Sequence, residues 1–105
     1  MSKLKKGPML QYINQIALES TISKLDLYLH RIFLSRIMTD NGRKANPNAK
    51  INTILSPNPK DKPNINITFR DGKTMDFDAS TMKINELLRP VEKHIRKLRE
   101  QEDIG

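Results

Sequence analysis

The most regular pattern in the chain is a strict alternation across residues 64–78. Ile65, Ile67 and Phe69 alternate with Asn66, Thr68 and Arg70, and Met75 and Phe77 then alternate with Thr74, Asp76 and Asp78. Successive side chains of a strand point to opposite faces, so each run predicts a half-buried strand, and Asp71-Gly72 between them predicts a hairpin. Register selects the turn. A two-residue loop pairs Ile67 with Asp76 and mixes core and solvent residues on one face. A three-residue loop, Arg70-Asp71-Gly72, pairs Ile67 with Met75 and Ile65 with Phe77. The expected turn is therefore a type I turn closed by a bulge, with Gly72 in the left-handed region.

Two stretches carry the helical period instead. Ile22, Leu25, Leu29, Ile32, Phe33 and Ile37 form one apolar face, with Leu27 and Leu34 as a second stripe that predicts cover on more than one side. Ser20 or Ser23 can cap this helix, and Asp26 three residues after Ser23 makes a capping-box-like start. Asp40-Asn41-Gly42 reads as its end and residues 39–49 as a polar loop. The last helix shows a single stripe of Ile84, Leu87, Leu88, Val91, Ile95 and Leu98, capped by Ser80 or Thr81. Between the helices, Lys50 to Ser56 reads as a short strand with Ile51 and Leu55 on one face and Ile54 on the other. Pro57, Pro59 and Pro63 bound a stiff loop after it. Residues 9–18 fit both periods: Met9, Tyr12, Ile13, Ile16 and Ala17 as a helical stripe, or Leu10, Tyr12, Ile16 and Leu18 as a strand.

Composition sets the scale. At 105 residues, with 36% hydrophobic and 30% charged residues, the chain predicts one domain with a small core. The expected division is a basic arm over 1–8, a body over 9–100 and a tail over 101–105. The absence of cysteine excludes disulfides, thiolate metal sites and thiol redox chemistry. No apolar run approaches the length of a membrane span, so no membrane insertion is expected. The N-terminal stretch has three lysines and no acid before Glu19, and it lacks the apolar core of a secretory signal. A basic, acid-free start suits organelle import.

Charge is unevenly distributed. The first 62 residues hold eleven Lys and Arg against four acids, whereas the remainder holds eight of each, so the net charge of +7 belongs to the first part. Lys3, Lys5 and Lys6 form an arm. Arg43 and Lys44 share a loop with Asn41, Asn46 and Asn48, followed by Lys50. Lys60 and Lys62 ride the proline-stiffened loop. Cations on arms and loops of a small folded body attract a phosphate backbone, because each neutralised phosphate releases condensed counterions. With few aromatics to stack on bases, the expected recognition is of backbone and shape. The helical cluster Lys93, Arg96, Lys97 and Arg99 is offset by Glu92, Glu100, Glu102 and Asp103 and reads as a solvated face.

Catalytic chemistry is not in view. His30 and His94 lie far apart on polar or boundary helix faces and read as surface residues. Asp71, Asp76 and Asp78 lack calcium-loop spacing. No glycine-rich phosphate loop and no paired Ser, His and acid occur. No enzyme activity, metal site, cofactor or small-molecule substrate is expected.

The run NINITFRDGKTMDFDASTMKINELL, followed by a stripe ending HIRKLRE, resembles the family of the mitochondrial large-ribosomal-subunit protein numbered fifty-three. The resemblance rests on Ile65 to Phe69, Asp71-Gly72-Lys73, Met75 to Asp78, and Leu87 to Arg99 with His94; LDLYLHRIFLSRI is similar to the family's first helix. Glu19-Ser20-Thr21 stands where members often carry a Pro-Phe pair. The resemblance implies a thioredoxin-like β-α-β-β-β-α domain, α/β in class, with a mixed four-stranded sheet, two helices and no redox cysteines. It also implies that residues 10–18 are the first strand, with the first helix as the crossover between parallel strands.

The expected function is that of a non-catalytic structural constituent of the mitochondrial large ribosomal subunit in the matrix, binding ribosomal RNA and neighbouring ribosomal proteins. Lys3, Lys5, Lys6, Arg43, Lys44, Lys50, Lys60 and Lys62 are the expected RNA-binding residues. The alternative is a non-catalytic accessory subunit of a mitochondrial respiratory assembly, since such domains serve both settings.

Overall fold

The computed structural model describes residues 8–21, 24–57 and 62–104. A single 3₁₀ turn, Met9–Tyr12, leads into strand β1, Ile13–Ser20. Helix α1 spans Lys24–Ile37, helix α2 Asp40–Ala45 and strand β2 Lys50–Leu55. Strands β3, Asn64–Phe69, and β4, Thr74–Asp78, precede helix α3, Ile84–Ile104. The ambiguous residues 9–18 thus divide. Pro8 is extended and its carbonyl accepts from the Gln11 amide, which winds the first four into a turn, while the rest are strand.

The sheet order is β2-β1-β3-β4. β1 and β2 are parallel, with Ile16 opposite Ile51 and Ser20 opposite Leu55. β3 runs antiparallel to both neighbours. This is the mixed four-stranded α/β sheet expected of a β-α-β-β-β-α chain, with α1 as the parallel crossover. The hairpin has the three-residue loop: Ile67 faces Met75 and Ile65 faces Phe77. The Gly72 amide donates to the Phe69 carbonyl, the Phe69 amide donates to Lys73, and Gly72 has φ +95°. A side chain with a Cβ is strained at that φ.

One sheet face carries the core. Ile16 and Leu18 of β1 and Ile65, Ile67 and Phe69 of β3 are buried against Phe33 and Ile37 of α1 and Leu87, Val91 and Ile95 of α3. The opposite face carries Ala17, Glu19, Asn66, Thr68 and Asp76, none of them buried, as period-two patterning demands.

Several expectations are corrected. Residues 40–45 form a helix rather than a loop, so there are three α-helices among the described residues and not two. The Thr39 hydroxyl accepts from the Gly42 amide, Asp40 occupies the first turn, and Arg43 and Lys44 occupy the last. Gly42 does not end α1. It lies buried inside α2, where a Cβ would stand 3.1 Å from Leu10 Cβ and 3.2 Å from the Ile37 carbonyl oxygen. Ser20 belongs to β1, and the cap expected at Ser23 lies outside the described residues. α3 starts after Lys83, whose amide donates to the Glu86 carboxylate, while Ser80 bonds Asp78 instead. The second stripe of α1 is only partly covered: Leu34 packs against the core and Leu27 is 43% exposed.

Candidate nucleic-acid interface

The fold separates the cations that the sequence grouped. Lys50 opens β2 opposite Gln15, at the end of the sheet where β1 begins. α2 brings Arg43 and Lys44 to the same end, because it packs on the 3₁₀ turn that precedes β1. The corner between α2 and β2 is fastened by Asn46, whose amide donates to the carbonyls of Leu10 (3.1 Å) and Ile13 (2.8 Å). Asn46 is thus a tether and not a group offered to a ligand. Arg43, Lys44 and Lys50 are exposed.

Lys62 lies at the other end. It precedes Asn64, which pairs with Glu19 near the end of β1. Strand geometry puts it roughly 20 Å from Lys50 along the strand direction. Its field reaches Asp78, whose carboxyl is held below the usual range chiefly by the Ser80 hydroxyl and amide, with a smaller pull from Lys62. Lys3, Lys5, Lys6 and Lys60 lie outside the described residues.

Two arginines at the first end are engaged internally. Arg70 bonds Glu102 at 2.6 Å and lies 4.9 Å from the Tyr12 ring centroid, and Arg99 covers the same ring at 5.6 Å. The buried Tyr12 hydroxyl donates to Glu102 at 3.1 Å. Burial first, then the hydrogen bond to Glu102 and its charge, raise the Tyr12 phenol above its ordinary value, while Arg70 holds the Glu102 carboxyl below its own. This cluster ties the end of α3 to the start of β1.

The engagement of Glu102 changes the reading of α3. Among the described residues the ion pairs are Arg70–Glu102 and His94–Asp71, and neither uses Arg89, Lys93, Arg96 or Lys97. These four are exposed, so the face taken as neutralised keeps unpaired cations. The sequence signal was their spacing, 89, 93, 96 and 97, which places them on one side of a helix.

Both histidines are buried rather than on the surface. The His94 ring meets Phe69 edge-on at 4.5 Å, and its Nε2 lies 3.1 Å from Asp71 Oδ2. The other Asp71 oxygen accepts from the Lys73 amide, and that bond first, then His94, lowers the Asp71 pKa. His94 thus locks the hairpin turn to α3. Among the described residues, no group of three or more His, Asp and Glu could hold a metal ion, and no helix is long and apolar enough to cross a membrane.

The end of the sheet that holds Lys62 has its own character. Ile54 and Leu55, closing β2, are 54% and 56% exposed, and Leu27 and Tyr28 near the start of α1 are 43% and 63% exposed. α1 starts just beyond the end of β1, and β2 is parallel to β1, so all four lie toward that end.

Comparison with known proteins adds a lineage to this geometry. The family described as 39S ribosomal protein L53/MRP-L53 matches residues 30–72, from within α1 through the hairpin turn. The large ribosomal subunit protein mL53 of Neurospora crassa is 36% identical over 76 residues, which cover 71% of this chain and 74% of that protein. The chain belongs to the L53/MRP-L53 family of mitochondrial ribosomal proteins. The match shares residues 30–37 of α1 and residues 64–72 with the stretches that carried the resemblance, and it takes in α2 and β2 between them.

Proposed function

We propose that the protein is a structural constituent of the mitochondrial large ribosomal subunit, held in the matrix against ribosomal RNA and neighbouring ribosomal proteins. The observation that carries this reading is family membership, joined to a corner where Arg43, Lys44 and Lys50 are exposed around a rigid Asn46 tether. A tethered corner loses little entropy on docking, and each phosphate it neutralises releases a counterion. Lys62 belongs to the same proposal as a phosphate contact at the other end of the sheet, and Lys3, Lys5, Lys6 and Lys60, outside the described residues, belong to it by their charge. The exposed Ile54 and Leu55, on an edge strand with unpaired backbone groups, suit a protein neighbour. No catalytic role is assigned. The family match favours this reading over the respiratory-assembly alternative.

The test is sedimentation of a tagged copy from mitochondrial extract, with and without ribonuclease. Co-migration with the large subunit, abolished by ribonuclease, is the expected result. Migration in a ribonuclease-resistant, detergent-sensitive complex overturns it.

A further inference from the structure

We propose that the exposed face of α3 is a second phosphate-binding surface, on which Arg89, Lys93 and Arg96 seat the backbone of a ribosomal-RNA segment. The proposal rests on the ribosomal reading and deepens it. Residues 89, 93 and 96 are spaced by four and three, so their side chains rise in one row over about 10 Å of helix. They line a shallow cleft of about 420 Å³ with Asn85 and Glu92. Lys93 also borders an adjoining cleft of about 180 Å³, where Lys73 and Lys97 meet it beside Pro90 and His94. Two neighbouring hollows thus share five cations and hold one carboxylate, Glu92.

The charge is free to act. Neither ion pair among the described residues involves any of these five cations, and Glu92 and Glu100, the acids on the same side of the helix, form none with them. The face is also rigid. Its helix is anchored beneath by Val91, Ile95 and Leu98 in the core and by His94 on the hairpin turn. Arg forks match phosphate oxygens in pairs, and an anchored helix holds the spacing of the row without ordering of the backbone on docking. Four of the five aromatics cannot serve as base-stacking platforms: Tyr12, Phe33 and Phe69 are buried, and Phe77 packs against the core. Contact through phosphates rather than bases is what such a surface offers.

Photo-crosslinking within assembled particles tests this. A benzophenone side chain replaces Arg96 in one tagged copy and Arg43 in another, with Asn66 on the open sheet face as reference. Large subunits are purified, irradiated and analysed for nuclease-sensitive adducts. The expected result is a ribosomal-RNA adduct at position 96, several-fold above that at position 66. Protein adducts alone at 96, with RNA at 43, overturn the α3 assignment and leave the proposed function standing. Protein adducts alone at both positions overturn the RNA reading on which it rests. Position 89 serves as the second site should the copy altered at 96 fail to enter the particle.

Discussion

The two ends of the sheet are built from the same four strands yet leave opposite things unsatisfied. Where β1 begins, the chain is tied down repeatedly: Asn46 to two β1-side carbonyls, Tyr12 and Arg70 to Glu102, His94 to Asp71. Those ties use up polar groups and leave Arg43, Lys44 and Lys50 as free charge. Where β1 ends, Ile54, Leu55, Leu27 and Tyr28 remain uncovered, so the unsatisfied quantity is apolar area. A small domain lacks the volume to hide every apolar residue it carries. Clustered charge at one end, and apolar surface beside Lys62 at the other, give the molecule two kinds of contact, one weakened by salt and one not.

The largest expected effect comes from removing what both ends share. Phe69→Ala removes a fully buried ring from the shared core, together with its edge-on contact with His94, and should cost about 3–5 kcal/mol of stability, read by urea denaturation. Asn46→Ala acts on the charged end alone. It strips a donor from the Leu10 and Ile13 carbonyls, and a loss of about 1–3 kcal/mol is expected. A value near zero would show that the corner is not tethered as described. Gly72→Val strains the hairpin turn by about 1–2 kcal/mol, and Gly72→Asn should recover part of that because Asn tolerates left-handed backbone.

Acid sharpens the same contrast. Asp71 and Glu102 both have carboxyls held below their ordinary values in the fold. Such a group contributes its stability in full above the unfolded pKa and loses it as pH falls through the native one. Asp71→Asn should therefore flatten the acid limb of a stability–pH curve below pH 4. Exposure of these carboxyls keeps the effect small. Smallest in stability, but separable in assembly, are two surface changes. Ile54→Asp with Leu55→Asp should leave the melting temperature nearly unchanged and weaken retention in the particle equally at low and high KCl. Arg43→Gln with Lys44→Gln should weaken retention in a salt-dependent way, lowering the log–log salt slope by about 1.5. Identical salt behaviour of the two pairs would dissolve the distinction between the ends.

How far the residues themselves disclosed this can be seen at the hairpin and at α2. The hairpin was legible to its register, because period-two patterning leaves one loop length that keeps Ile65, Ile67, Met75 and Phe77 on one side. α2 was not legible. A six-residue helix has too few turns to show a period, and a glycine after a helical stripe ordinarily marks a stop. What calls for a glycine inside α2 is Leu10, 32 positions earlier, whose Cβ leaves little room for a side chain at 42. The buried histidines were missed for a similar reason: His94 lies at the margin of its helix stripe and is covered by Phe69 and Asp71 from another element.

The candidate interface divides along the same line. The net charge of the first part, the lack of stacking aromatics and the absence of thiol chemistry follow from residue identity alone, since charge and chemistry do not depend on partners in space. Which cations are free does depend on them. Glu102 counts against Lys93, Arg96 and Lys97 in the sequence but is held by Arg70 and Tyr12 in the fold, because a long-range ion pair forms between groups the sheet brings together, not between neighbours in the chain. Local periodicity and composition were determined by the sequence by itself; the pairing that decides which charges remain to meet a ligand was decided only by tertiary structure.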